Sequence, residues 1–202
     1  MNDLWNIENE LFEQGVKLIC GVDEAGRGPL AGPVCAAAVI LPPNIDIPGL
    51  NDSKKLSDKK RRELFPVIKE NAIAYGIAFA DHHEIDTVNI LQATYLAMER
   101  AIRQLGVKPD FLLIDGNRTK DFGLPVKTVV HGDSLSANIA AASVLAKVTR
   151  DDWMEAAAAK YPEYKFEVHK GYGTKAHYEA LDKHGPCDIH RITFLKKRYG
   201  NQ

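Results

Sequence analysis

The chain contains 202 residues, of which 45% are apolar and 26% are charged, and its net charge at pH 7 is −1. This size and composition predict one globular domain with a buried core, and the near-neutral charge argues against a general polyanion binder. No apolar run reaches the roughly 20 residues of a membrane helix, and the acidic N-terminus is unlike a signal peptide. Three unpatterned cysteines predict a reducing, cytoplasmic setting without disulfides.

The first half of the chain is predicted to contain three short strands and one helix. Apolar runs of strand length predict strands over residues 16–24, 33–41 and 72–80. Between the last two runs, Ser57 is a suitable N-cap for a helix that reaches residue 71. Pro66 lies inside this helix, and we expect it to kink or shorten the helix.

The second half is predicted to contain longer helices. Apolar residues spaced four and three apart predict a helix between Asn89 and Gly106. Strands are predicted over residues 110–115 and 125–130, an alanine-rich helix over 135–160, and a further helix over 174–185. Together these elements predict an α/β domain with a mixed β-sheet flanked by helices, followed by a helical extension.

Carboxylates follow or end three of the predicted strands. Asp23 and Glu24 end the first strand, Asp115 ends a later one, and Asp133 comes just after the next. Because ligands gather at the carboxyl ends of strands in open α/β sheets, we expect these acids to converge. Asp23 and Glu24 would face opposite sides of a regular strand, so sharing a site requires a turn, for which Gly26 supplies freedom.

Four converging carboxylates would repel one another unless cations lay between them. Oxygen ligands of this kind suit hard divalent cations such as Mg²⁺. Two such ions roughly 4 Å apart can stabilise both the attacking and the leaving oxygen of a phosphoryl displacement. The acids therefore predict a two-metal site for phosphodiester chemistry.

The turn formed by Gly26, Arg27 and Gly28 combines bare backbone with a guanidinium. Such a turn can approach a ligand closely while the arginine reaches a phosphate. It is not a dinucleotide-binding loop, because Pro29 and Pro33 and then a strand follow where that loop needs a helix. The turn instead suits a nucleic-acid backbone and could contact a 2′-hydroxyl. Two basic segments, residues 54–62 and 183–202, predict either local phosphate contacts or solvated surface.

The segment "GVDEAGRGPLAGPV" at residues 21–34 resembles the signature of the type 2 ribonucleases H, in particular bacterial ribonuclease HII. The resemblance continues through residues 51–57, 112–117, 131–151, 169–181 and 187–194. It implies a ribonuclease H-like catalytic domain over residues 1–170 and a helical, basic extension over 171–202, packed as one unit. It also implies hydrolysis of the RNA strand of RNA/DNA hybrids and nicking 5′ of single ribonucleotides in duplex DNA, with two Mg²⁺ or Mn²⁺ ions.

The resemblance also assigns roles to individual residues. The family's catalytic, metal-binding acids correspond to Asp23, Glu24, Asp115 and Asp133. Its substrate contacts correspond to Gly26, Arg27 and Gly28 for the 2′-hydroxyl, Tyr172 for the next deoxyribose, and Lys54 and Lys55 for DNA phosphates. The sequence departs from the pattern at His131, where lysine is the expected residue. The products would carry a 3′-hydroxyl and a 5′-phosphate.

Other functions remain open at this stage. An actin-like module binding ATP and Mg²⁺ would need a second, duplicated domain, and the chain shows no internal repeat. A ribonuclease H-like junction resolvase would act as a dimer on branched DNA. We expect instead a monomer that binds RNA/DNA hybrids and ribonucleotide-containing DNA and does not bind membranes. The sequence names no replication or repair partner.

Overall fold

A computed structural model describes residues 3–51, 53 and 56–200. Within these residues, five strands form one mixed sheet in the order β3-β2-β1-β4-β5. The strands are β1 (Ile19–Ala25), β2 (Val34–Ile40), β3 (Ala74–Ala80), β4 (Phe111–Asp115) and β5 (Val126–Val129). β1 pairs antiparallel with β2 and parallel with β4, so the sheet is mixed as predicted.

Helices cover both faces of this sheet. They are α1 (Asn6–Glu13), α2 (Asp58–Asn71), α3 (His82–Val88), α4 (Ile90–Arg103), α5 (Ala137–Lys160), α6 (Phe166–His169), α7 (Lys175–His184) and α8 (Ile192–Tyr199). The Ser57 hydroxyl accepts a hydrogen bond from the Lys60 amide and caps α2 as predicted. Of the two effects expected of Pro66, shortening does not occur, because α2 continues past the proline to Asn71. Leu64 and Ile68 are buried in the core on either side of the proline, and this packing holds the helix together.

Two glycines let helices lie close to the sheet. A Cβ at Gly21 of β1 would lie 2.2 Å from the backbone of Asn138 in α5. On the other face, a Cβ at Gly76 of β3 would lie 2.1 Å from the carbonyl oxygen of Ala101 in α4. The buried alanines of α5 allow the same close approach, so the alanine-rich run serves packing rather than propensity alone.

The C-terminal helices pack against the segment that follows β1. Leu30 and Ala31 share an apolar cluster with residues of α5, α7 and α8, and Ala31 forms an isolated β-bridge with His190. The C-terminal segment therefore supports the turn at residues 26–28 from behind. Among the described residues, no helix has the length and apolar character needed to cross a membrane.

Candidate active site

Three aspartates meet at one edge of the sheet. Asp23 lies near the end of β1, Asp115 ends the neighbouring parallel strand β4, and Asp133 lies in a 3-10 turn after β5. Carboxylate oxygens of the three residues lie within 4.8 Å of one another. The convergence predicted from the strand ends is therefore present for these three acids, because parallel strands present their carboxyl ends at the same edge.

Backbone groups hold the aspartates in place. An Asp115 oxygen accepts a 2.7 Å hydrogen bond from the Gly132 amide, which ties the end of β4 to the turn that carries Asp133. An Asp23 oxygen accepts a 2.7 Å bond from the Glu24 amide. His131 begins the 3-10 turn in the left-handed conformation, with φ of 58°, and is exposed. The carboxylates thus sit in a rigid frame of strand ends and one tight turn.

The environment of Asp23 is unfavourable for a lone negative charge. Its side chain is buried, and burial raises its pKa well above the usual value, with the charges of Glu24 and Asp115 raising it further. A divalent cation would reverse both effects, since it compensates the buried charge and separates the repelling carboxylates. The donor set consists of carboxylate oxygens, which are the ligands that Mg²⁺ and Mn²⁺ prefer. The residues therefore fit the expected metal site.

Glu24 lies outside the group of three aspartates. β1 continues to Ala25, so the backbone does not turn between Asp23 and Glu24, and the two side chains leave opposite faces of the strand. The Glu24 carboxylate accepts a 3.3 Å hydrogen bond from Arg27. Glu24 nevertheless lines the same cleft as Asp23 and Asp115, and it remains within electrostatic reach of Asp23.

The cleft in front of the aspartates, here called the turn cleft, has a volume of about 210 Å³. Asp23, Glu24 and Asp115 line it together with the turn at residues 26–28 and Tyr172. Gly26 is buried with φ of +98°, whereas Arg27 and Gly28 are exposed. A Cβ built on Gly28 would lie 3.5 Å from the Tyr172 ring, which is 45% exposed. The structure thus brings the predicted turn, the predicted tyrosine and three of the four predicted acids to one cleft, and Asp133 lies beside two of those acids.

Two buried arginines, Arg150 and Arg191, lie behind the turn, and sequence reasoning missed both. Arg191 donates to the carbonyl oxygens of Gly26 at 2.6 Å, Arg27 at 2.9 Å and Gly32 at 2.9 Å. The residue had been placed in a basic segment expected to be surface or phosphate contact, yet it is fully buried. Burial lowers its pKa to about 9, and the charge of Arg150 adds to this effect.

Arg150 of α5 lies against Gly26, where an added Cβ would be 1.9 Å from its Nε, and it binds the segment that follows the turn. Its guanidinium donates to the carbonyl oxygens of Pro33 and Lys170, both at 3.0 Å, and of Ala31 at 3.3 Å. It is 1% exposed. In the described part of the chain, every hydrogen-bond acceptor of Arg150 and Arg191 is a backbone carbonyl, so both positive charges remain uncompensated by ion pairs behind the cleft.

A histidine pair supports the backbone of Tyr172. His177 Nδ1 lies 2.9 Å from the Tyr172 carbonyl oxygen, and His177 Nε2 lies 3.0 Å from His190 Nε2. His190 Nδ1 accepts from the Cys187 amide at 2.9 Å. Neutral rings satisfy this chain, with His177 donating from Nδ1 and His190 donating from Nε2 to His177 Nε2. In that arrangement a second proton on His177 would place two N–H groups against each other. Burial lowers the pKa of both histidines, that of His190 to about 4.

The cleft also contains two polar residues, Ser143 and Lys147, that sequence reasoning did not assign to the site. Ser143 lies 2.5 Å from Ser53 between their hydroxyl oxygens, and Lys147 forms an ion pair with the buried Asp151. Both line the turn cleft from α5. A single sequence gives no signal for them, since serine and lysine within a helix are ordinary. The predicted phosphate contacts Lys54 and Lys55 lie outside the described residues.

Comparison with known proteins gives consistent matches. The family model described as Ribonuclease HII matches residues 20–197. A Ribonuclease HII of Caldicellulosiruptor bescii is 53% identical over 192 residues, covering 95% of this chain and 93% of that protein. The crystal structure of ribonuclease H2 from Pyrococcus horikoshii matches with a TM-score of 0.74 and 26% identity, covering 92% of this chain and all of that one. Bst-RNase HIII, solved in complex with Mn²⁺, shares the fold at 19% identity, with a TM-score of 0.63 and coverage of 83% of this chain and 63% of that one.

Proposed function

The chain belongs to the ribonuclease HII family, and we infer its activity from this membership. It is an endoribonuclease that hydrolyses the RNA strand of RNA/DNA hybrids and nicks 5′ of single ribonucleotides in duplex DNA. The products carry a 3′-hydroxyl and a 5′-phosphate. The actin-like ATP module and the junction resolvase have no comparable support.

We propose that Asp23, Asp115 and Asp133, with Glu24 beside them, hold two divalent cations, Mg²⁺ or Mn²⁺. The carrying observation is the approach of three aspartate carboxylates to within 4.8 Å of one another. When bound, two such ions supply stabilisation of the attacking and leaving oxygens in an in-line displacement. The buried frame of strand ends keeps the carboxylates from moving apart as they would in solution, so the site is preorganised for cations.

We propose that the turn cleft recognises the sugar at the junction. Gly28 exposes backbone where a side chain would stand, which allows contact with a ribose 2′-hydroxyl. The exposed Arg27 can reach a phosphate, and the half-exposed Tyr172 ring can pack against the following deoxyribose. Lys147 adds a cation to the wall of the same cleft. On the resemblance alone, Lys54 and Lys55 contact DNA phosphates.

We also propose that the protein works as a cytoplasmic monomer, with residues 1–170 forming the catalytic domain and 171–202 the extension. The proposed acids, turn and tyrosine all come from one chain, which supports a site that is complete without a second copy. Light scattering at working concentration tests this: a mass near 22.4 kDa is expected, and a stable dimer would contradict it.

The test of the proposed function uses a labelled DNA duplex with one ribonucleotide, with Mg²⁺, with Mn²⁺ and with chelator. We expect a single cut on the 5′ side of the ribonucleotide that chelator abolishes. A matched all-DNA duplex is the control and should remain intact. Cleavage of a long hybrid without any cut at the single ribonucleotide would contradict the role given to the turn. Cleavage that persists in chelator would contradict the metal site.

A further inference from the structure

A second cavity, here called the α4 cavity, lies next to the turn cleft and has a volume of about 280 Å³. The two cavities share three wall residues, Glu24, Arg27 and Asp115. Beyond these residues the walls differ completely. The α4 cavity is bounded by one side of α4 and by residues 116–118, which follow β4. The acids therefore stand between two cavities rather than at the end of one.

The α4 cavity combines an apolar wall with free polar groups. Leu91, Tyr95 and Met98 of α4 form the apolar wall. Across from them, Asn117 and Arg118 are exposed. Neither side chain forms a hydrogen bond or an ion pair with any described residue, whereas many other arginines of the chain are engaged with carboxylates or carbonyls. A guanidinium and an amide left free beside an apolar wall suit a ligand that has a phosphate and a sugar.

The 5′-to-3′ direction of the substrate strand indicates which nucleotide occupies the α4 cavity. In a nick 5′ of a ribonucleotide, that ribonucleotide and the next deoxynucleotide both lie on the 3′ side of the scissile phosphate. The turn and Tyr172 occupy the turn cleft, so the 3′ side of the strand lies there. If the scissile phosphate lies at the acids, the nucleotides 5′ of it extend past Glu24 and Asp115, away from the turn cleft. The α4 cavity lies on that other side of Glu24 and Asp115.

Resting on the proposed function, we propose that the α4 cavity binds the nucleotide immediately 5′ of the scissile phosphate. Arg118 binds the phosphate on the 5′ side of this nucleotide, and the apolar wall of α4 receives its sugar. In a duplex with a single ribonucleotide this nucleotide carries deoxyribose, whereas in a continuous RNA strand it carries ribose. The Asn117 amide is free to bond a 2′-hydroxyl there, so the cavity sets the relative rate on the two kinds of substrate.

The test combines a protein change with a matching substrate change. Cleavage of a single-ribonucleotide duplex is measured for wild type and Arg118→Ala. Two substrates are compared, which differ at the phosphate on the 5′ side of the nucleotide that precedes the cut. One has the natural phosphate at this position and the other has an uncharged methylphosphonate. We expect each change alone to lower kcat/KM about tenfold, as for a charge-assisted contact. Combined, the two changes should lower kcat/KM no further than either alone, because they remove the same contact.

Controls separate this proposal from the function on which it rests. Arg103 is an exposed arginine of α4 that lies outside the cavity. The Arg103→Ala variant should therefore cleave like wild type. If wild type cut neither substrate, the proposed function would fail. If wild type cuts but the methylphosphonate has no effect, or the two losses multiply, the α4 cavity proposal is overturned. Absence of a methylphosphonate effect on wild type overturns the proposal even if Arg118→Ala fails to fold, and in that case Arg118→Lys or Arg118→Gln takes the place of the alanine variant in the combined test.

The sugar contact has its own test. With ribose in place of deoxyribose at the nucleotide 5′ of the cut, Asn117→Ala should lose severalfold more activity than with deoxyribose there. Arg118→Ala should lose the same factor on both. An equal loss for Asn117→Ala on both sugars would remove the amide from recognition of the 2′-hydroxyl.

Discussion

Gly26→Ala should lower the stability of the protein, whereas Gly28→Ala should lower its activity, although only one residue separates the two glycines. Gly26 has φ of +98°, and a Cβ there would lie 1.9 Å from Arg150 Nε. An L-residue in this conformation costs about 1–2 kcal/mol. Displacing the buried Arg150 leaves at least one carbonyl unpaired, at a further cost of about 1–3 kcal/mol. We expect a total loss of about 3 kcal/mol, which for a chain of this length lowers Tm by about 6–12 °C.

Gly28 offers the matched control. It is exposed, is absent from the residues with positive φ, and an added Cβ would make an ordinary contact with Tyr172 at 3.5 Å. Gly28→Ala should therefore keep its stability within about 0.5 kcal/mol. Cleavage at a single ribonucleotide should fall at least about tenfold, because the methyl group covers the backbone that meets the sugar.

Thermal unfolding followed by circular dichroism, with the nicking assay well below either Tm, separates the two effects. A wild-type Tm for Gly26→Ala would refute the claim that Arg150 is fixed against the turn. Wild-type nicking by Gly28→Ala would refute the claim that bare backbone at this position contacts the sugar.

Three further predictions concern the acids, the tyrosine and the buried histidines. Asp23→Asn should abolish cleavage while duplex binding persists, and Mg²⁺-dependent cleavage by this variant would contradict the metal site. Without metal, the variant should melt at a higher temperature than wild type, because the substitution removes a buried charge that Glu24 and Asp115 repel. Tyr172→Ala should lose more activity on a single ribonucleotide than on a long hybrid, measured as the ratio of the two rates; equal losses would contradict a junction role. The pKa of His190 is lowered to about 4 in the folded state from an unfolded value near 6.5. Folding therefore favours the neutral ring, and the stabilisation is present above pH 6.5 and is lost as the pH falls toward 4, by on the order of 3 kcal/mol. Urea unfolding across this range should show a flatter dependence for His190→Gln, and identical slopes would contradict the neutral histidine pair.

Sequence reasoning predicted the strands and the convergence of three aspartates for a simple reason. Both depend on local patterns, namely short apolar runs and the acids that end them, and parallel pairing then brings those ends together. The same reasoning placed Glu24 in the site on the expectation of a turn beside the acid pair. β1 instead continues to Ala25, so Glu24 and Asp23 leave opposite faces of the strand. Pro66 shows the converse, since burial of its neighbours outweighed a local rule.

The arginines could not have been assigned in this way. Arg191 donates to carbonyls of residues more than 150 positions away, and backbone carbonyls carry no sequence signature. A buried arginine without a carboxylate partner also looks like any surface arginine in a basic segment. The histidine pair was hidden for the same reason, since His177 and His190 meet only through the fold of the C-terminal segment.

These contacts divide the site into two supports. The aspartates are held by the sheet and by the turn after β5. The turn at residues 26–28 is held by Arg191 of the C-terminal segment, and Arg150 packs against Gly26. On the proposed roles, we therefore expect cation binding to depend on the sheet and sugar recognition to depend on the packing of the C-terminal helices. A substitution in those helices can change the choice of substrate while the aspartates keep their geometry. We accordingly expect the segment over residues 171–202 to influence specificity, because the only described side chain that donates to the carbonyls of both Gly26 and Arg27, that of Arg191, comes from it.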